Sequence, residues 1–112
     1  MRVLFLDDSD VIHELFEDTN PQYDITHVTT HEEACSALEA HEPYDIVHLD
    51  HNLGARSNFS GYDTAKFITR HLSKEKRPKR VLVHTANPLV APQMIQELID
   101  FGIAAEYKPF RV

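Results

Sequence analysis

Cysteine is nearly missing from this chain of 112 residues: Cys35 is the only one, so no disulfide can form within the chain. A chain without disulfides suits a reducing compartment, and we predict a cytoplasmic protein. Long hydrophobic runs are missing too. The apolar start, residues 1–6, meets acidic residues at once and is too short for a signal peptide or a membrane span. We therefore expect no membrane partner.

Positive charge is scarce: the chain has 11 basic and 18 acidic side chains, which gives a formal net charge of −7. Phosphate backbones are bound by clustered lysine and arginine, so this balance argues against general nucleic-acid binding. The one basic run, residues 74–80, is predicted to be a solvated loop. Repeats, low-complexity tracts and linkers are absent, and the length fits a single domain over residues 1–112.

Short β-branched runs alternate with helical patterns along the chain, which is typical of βαβ units around a parallel sheet. The patterns predict helices that begin at two N-caps, Asp10 and Thr30, the latter with Glu33 in a capping box. Right-handed crossovers then favour a flavodoxin-like α/β fold, a doubly wound five-stranded parallel sheet of order 2-1-3-4-5. The predicted strands cover residues 2–6, 25–28, 44–49, 80–84 and 103–107, and the predicted helices cover residues 10–18, 31–40, 62–72 and 92–101.

Polar residues follow four of these strands where they end, and ligands of such sheets bind at that edge. Asp7 and Asp8 follow the first strand, Asp50 the third, Thr85 the fourth and Lys108 the fifth. Carboxylates ~4 Å apart repel by ~4 kcal/mol at an effective dielectric of 20, so they take up protons or a cation. Oxygen ligands suit Mg²⁺, or Mn²⁺. We predict a metal site that handles a phosphoryl group, which the lysine and the threonine would bind and Asp50 could attack.

These residues resemble the receiver domain of two-component response regulators, and the likeness covers nearly the whole chain. Besides the three aspartates, it rests on Gly61, on Thr85 followed by Ala86, and on Lys108 followed by Pro109 and Phe110. The resemblance implies Mg²⁺ on Asp7, Asp8, Asp50 and the backbone carbonyl of Asn52. It also implies that Asp50 accepts a phosphoryl group, which Thr85 and Lys108 then sense.

Two features depart from an ordinary receiver. The chain ends at Val112, so the final helix of receivers is missing, and we expect a homodimer contact or a protein partner to cover the bare face of the sheet. In addition, His51 follows Asp50 and His84 precedes Thr85. The stretches 49–54 and 83–88 resemble a receiver-derived family that is predicted to process cyclic phosphates and has histidines at these two strand ends.

Two functions therefore stay open, and both require a small phosphorylated ligand or a phosphodonor. In the first, His51 and His84 act as general acid and base in metal-assisted hydrolysis of a cyclic phosphate, in a nucleotide or at an RNA end. In the second, a stand-alone receiver is phosphorylated on Asp50 and acts as a signalling switch. His48 is expected to be a core residue. Five further histidines are expected at the surface: His13, His27, His31, His41 and His71.

Overall fold

The computed structural model describes residues 1–40 and 42–109, and five parallel strands run through its centre. The strands are β1 (Arg2–Leu6), β2 (Asp24–Val28), β3 (Ile46–Leu49), β4 (Arg80–Val83) and β5 (Ala104–Tyr107). They lie in the order β2-β1-β3-β4-β5, and every neighbouring pair is parallel. The predicted flavodoxin-like sheet of order 2-1-3-4-5 is therefore confirmed.

Four α-helices connect the strands: α1 (Asp10–Thr19), α2 (His31–Ala40), α3 (Gly61–Arg70) and α4 (Ala91–Asp100). Their predicted positions are confirmed to within one or two residues at each end. Within the described residues, no helix has the length and apolar composition that crossing a membrane requires. His41 and Phe110, which figured in the sequence predictions, lie outside the described residues.

The caps of two helices decide how the chain leaves the carboxyl ends of the strands. Ser9, and not Asp10 as predicted, is the N-cap of α1, because its hydroxyl accepts the backbone N–H of Ile12 at 3.3 Å. Asp10 is instead the first helical residue, where its negative charge suits the helix dipole. The predicted capping box before α2 is confirmed: the Thr30 hydroxyl accepts from the backbone N–H of Glu33, and Thr30 N–H donates back to the Glu33 carboxylate.

The two faces of the sheet are covered unequally. Side chains alternate along the strands, so Leu4 and Leu6 join the larger core, where helices α2, α3 and α4 pack. Val3 and Phe5 point the other way, into a smaller cluster with Phe16 of α1. Among the described elements, α1 alone covers this second face. The sheet surface over β3 and β4, beside α1, is left as a groove, whereas the expected dimer or partner contact stays a prediction.

Candidate functional site

The carboxylates of Asp7 and Asp50 lie at neighbouring strand ends. β1 and β3 are paired through Leu6 and Leu49, and the backbone N–H of Asp50 donates to the Leu6 carbonyl at 3.0 Å. Asp7 is buried, and its Oδ1 accepts the backbone N–H of Ser9 at 2.8 Å. Asp50 is half-buried, with its Oδ1 bonded to the backbone N–H of His51 at 2.8 Å. Both carboxylates are therefore held in fixed positions at one edge of the sheet.

His84, which directly follows β4, completes this group. Its backbone N–H donates to the Leu49 carbonyl at 3.0 Å, and its ring stacks on Phe5 with centroids 4.9 Å apart and planes 6° from parallel. Its Nε2 lies 2.9 Å from Oδ2 of Asp7, and only 3% of the His84 side chain is exposed. A carboxylate only accepts, so Nε2 carries the hydrogen of this bond. Nδ1 is buried and has no hydrogen-bond partner within the described residues.

The surroundings of the Asp50 carboxyl disfavour its ionised form. The pKa of Asp50 is raised from its ordinary 3.8 to about 6, chiefly by burial and then by the negative charge of Asp7. The nearby His84 and the backbone N–H of His51 oppose that rise. Two ionised carboxylates this close repel each other when no cation lies between them, so either a bound proton or a bound metal ion would stabilise the site.

The described residues fit a divalent cation here. One ligand atom each from Asp7, Asp50 and His84 lies within 4.8 Å of the other two. Two carboxylate oxygens and one imidazole nitrogen form a donor set that Mn²⁺ and related ions accept, while Mg²⁺ prefers oxygen alone. The three residues therefore offer three ligand atoms to one cation.

The other two predicted metal ligands lie nearer to solvent. Asp8 is exposed, and its Oδ2 faces Gly54, where an added Cβ would come within 2.9 Å. Gly54 has φ +72°, a backbone conformation that favours glycine. Asn52 is exposed in the same loop. Asp8 and Asn52 are therefore more exposed than Asp7, Asp50 and His84, and their roles as ligands stay predictions.

His51 is held on the opposite side of the sheet from His84. Its carbonyl accepts the backbone N–H of Gly61 at 2.9 Å, at the start of α3, and the charge of Asp63 in the same helix acts on its ring. Burial lowers the pKa of His51, so its ring is neutral at pH 7. A Cβ on Gly61 would lie 1.6 Å from the Asp50 carbonyl oxygen, so only glycine lets α3 approach this closely.

Thr85 and Lys108 are placed less simply than the sequence suggests. Thr85 is fully buried, and its hydroxyl accepts the backbone N–H of Asn87 at 3.1 Å. The Lys108 backbone extends β5 by donating to the Val83 carbonyl at 2.8 Å. Its side chain lines the groove beside α1, and within residues 1–40 and 42–109 it forms no ion pair with an aspartate. Their assignment to phosphate binding stays a prediction.

Sequence reasoning missed the direct contact between Asp7 and His84. The signal was available in the alternation of strands, since Phe5, Asp7 and His84 share one face once the strands are aligned. The expectation that His13 lies at the surface is wrong. His13 is buried against Phe5, and its Nε2 contacts the Asp7 carbonyl at 2.8 Å, because α1 turns this face toward β1.

The sequence profile of the cyclic-phosphate processing receiver domain matches residues 2–100. The chain therefore belongs to this family of receiver domains, as the stretches around His51 and His84 predicted. No curated protein sequence matches the chain significantly.

Solved structures support the same fold. The chain is similar to the signal receiver domain of a protein described as a Luxo repressor from Vibrio parahaemolyticus, at 25% identity and a TM-score of 0.74, covering 98% of this chain and 79% of that one. It is similar to the response regulator TrrA from Thermotoga maritima, solved with Mg²⁺ and BeF, at 24% identity and a TM-score of 0.76, covering 98% and 86%. It is also similar to the receiver domain of a Pseudomonas aeruginosa sensor histidine kinase, solved with magnesium in its active-site cleft. The identity is 22% and the TM-score 0.71, and the match covers 98% of this chain and 86% of that one.

Proposed function

We propose that this chain hydrolyses a cyclic phosphate, in a nucleotide or at an RNA end, at the edge of the sheet where Asp7, Asp50 and His84 meet. Membership of the cyclic-phosphate processing receiver family supports this reading. The single observation that carries it is the buried 2.9 Å bond between Nε2 of His84 and Asp7. A carboxylate that orients an imidazole is a typical arrangement for proton transfer, and a phosphorylation switch has no need of one.

The metal is part of the proposal. Asp7, Asp8 and Asp50, with the Asn52 carbonyl, would hold Mg²⁺ or Mn²⁺, and two similar receiver structures contain magnesium. A bound divalent cation would neutralise the charge that builds on the phosphoryl oxygens.

The chain's own residues would move the protons. A phosphate at this edge meets His51 and His84 from opposite sides of the sheet. The neutral His51 ring takes a proton from the attacking water as the water oxygen bonds to phosphorus. His84, as an imidazolium whose Nε2–H stays bonded to Asp7, gives its Nδ1 proton to the alkoxide as the ring P–O bond breaks, and the product is a phosphate monoester. Asp7 holds the His84 ring for this transfer and stabilises the proton on it.

The test is turnover of a small panel of substrates by the pure protein with Mg²⁺ or Mn²⁺. The panel contains 2′,3′-cyclic and 3′,5′-cyclic nucleotides and an oligoribonucleotide with a cyclic phosphate end. We expect His84→Gln and His51→Gln to lower kcat by about 100-fold or more, because general acids and bases contribute at that scale. The matched control is His71→Gln, which changes an exposed histidine at the end of α3. Absence of turnover across the panel, from folded protein that binds metal, would refute the proposal.

A metal-binding titration of the same variants separates the two possible tasks of His84. If His84→Gln binds Mn²⁺ as well as the wild type but turns over slowly, the proton-donor assignment holds. If Mn²⁺ binding falls together with turnover, His84 is a metal ligand and the donor assignment is wrong.

The second candidate is a phosphorylation switch, which the receiver fold and the exposed edge of Asp50 allow. It is the less favoured reading, because the Thr85 hydroxyl is bonded to the backbone N–H of Asn87 and Lys108 lines the groove beside α1. Intact mass after incubation with acetyl phosphate and Mg²⁺ tests it. A gain of one phosphoryl group in the wild type and none in Asp50→Asn, without turnover of the panel, would establish the switch instead.

A further inference from the structure

The groove beside α1 lies on the side of the sheet away from α3, and it is lined by His84 but by neither Asp7 nor Asp50. It encloses about 250 Å³. Known ligand pockets span roughly 300–1,000 Å³, so this groove suits a phosphate with a small attached group rather than a large ligand. Its wall includes the side chains of Tyr23, His48, Arg80, Leu82, His84 and Lys108.

The charges along this wall are all positive. Arg80 and Lys108 line the groove, and no carboxylate of the described residues does. Arg80 is paired at the rim with Glu106, whereas the Lys108 ammonium has no ion pair within the described part of the chain. In a protein whose formal charge is −7, a groove with only cationic charges marks a place for an anion.

Arg80 and Lys108 line the same groove as His48. The His48 ring is buried and packs against Phe16 with centroids 4.7 Å apart. An imidazole carries at least one N–H donor in either tautomer. Within the described residues the His48 ring nitrogens have no hydrogen-bond partner, and they are not among the fully buried atoms, so they are open to the groove.

We propose that the groove binds a phosphate monoester, as carried by a nucleotide, with Lys108 and Arg80 binding the phosphate oxygens and His48 donating a hydrogen bond. This site needs no metal ion, because its own charges attract the anion. The groove shares one residue with the catalytic edge, since the His84 ring lines the groove and also bonds to Asp7. If the proposed hydrolysis is correct, its product has the same chemistry as this ligand, and that link alone rests on the proposed function.

The test is binding without turnover, in EDTA, followed by NMR on protein with ¹⁵N-labelled histidine. Inorganic phosphate, adenosine 5′-monophosphate and adenosine are titrated separately while the ring signals of His48 and His84 are recorded. We expect saturable shifts at His48 with phosphate and with the monophosphate, and none with adenosine. Equal affinity for inorganic phosphate and adenosine 5′-monophosphate would show that the site binds the phosphate group alone. Tighter binding of the monophosphate would show that the groove also contacts the sugar or the base. Binding of adenosine as tight as that of its monophosphate would overturn the proposal.

Three variants sharpen the test. Arg80→Gln should weaken binding by about tenfold, because hydrogen bonds between charged groups are strong. Glu106→Gln should strengthen it, because it releases Arg80 from its rim partner. The matched control is Lys79→Gln, which removes the same charge one residue away, where Lys79 pairs with Asp45. An equal loss in Arg80→Gln and Lys79→Gln, or a shift that needs added metal, would refute a site in the groove. Because nothing here depends on hydrolysis, the groove and the proposed function can fail separately.

Discussion

Neutralising Asp50 should stabilise the metal-free protein. The pKa of Asp50 is raised from 3.8 to about 6, chiefly by burial and then by Asp7. Each pKa unit corresponds to about 1.4 kcal/mol, so the ionised carboxylate would cost ~3 kcal/mol if it were fully shielded. Asp50 keeps some contact with solvent, which screens the charge and reduces this figure to ~1–2 kcal/mol. Asp50→Asn keeps the shape and the hydrogen bond from His51 N–H while it removes the charge.

The sign of the pH dependence follows from the raised pKa. The folded protein holds a proton on Asp50 at a pH where the unfolded chain has released it. Stability therefore falls as the pH rises from about 4 to about 6, and the full penalty is present above that window. Asp50→Asn should be more stable than the wild type at pH 7.5 and equal to it near pH 4.

Urea unfolding in EDTA at the two pH values measures this difference, and at pH 7.5 the melting temperature should rise by roughly 4–10 °C. The matched control is Asp45→Asn. The backbone N–H of Arg2 and the Lys79 ammonium lower the pKa of Asp45, so loss of that charge should destabilise the fold. Added Mn²⁺ should stabilise the wild type more than Asp50→Asn. The electrostatic argument is wrong if Asp50→Asn is less stable than the wild type in EDTA at pH 7.5, or if its stability advantage is as large at pH 4 as at pH 7.5.

Three further outcomes are expected. Gly61→Ala should lower the unfolding free energy by ~3 kcal/mol or more, because its Cβ collides with the Asp50 carbonyl. Gly102→Ala meets no atom within 4 Å and should cost only ~1–2 kcal/mol from its φ of +82°, and equal losses in urea would contradict this reasoning. Glu97→Ala should cost ~2 kcal/mol in the same assay, because this buried carboxylate accepts hydrogen bonds from α3, and a change near zero would show that solvent replaces them. Burial raises the pKa of Cys35 to about 12, so a thiol reagent at pH 8 should modify the unfolded chain far faster than the folded one, and similar rates would argue against a buried thiol.

The alternating pattern of the sequence was enough to predict the five strands, their order and the edge where the aspartates lie. That prediction succeeded because the two-residue period of strands and the 3.6-residue period of helices depend on residues that are close together in the sequence. In addition, the preference for right-handed crossovers leaves few possible sheet topologies. The capping box at Thr30 was likewise readable, since its two partners are three residues apart. The N-cap of α1 could not be predicted in this way, because Ser9 and Asp10 are both good capping residues. Only the backbone conformation of the folded chain shows that Ser9 is the N-cap.

Which side chains meet at the edge was decided by the tertiary structure. Asp7 and His84 are 77 residues apart, and their contact depends on the alignment of β1, β3 and β4 past the last strand residues. A slip of one residue would turn His84 to the opposite face, so no local pattern fixes this contact. The same alignment carries Lys108 to the groove beside α1 and places His51 toward α3. The sequence by itself determined which chemical groups reach the sheet edge, and the register of the folded strands determined which of them act together.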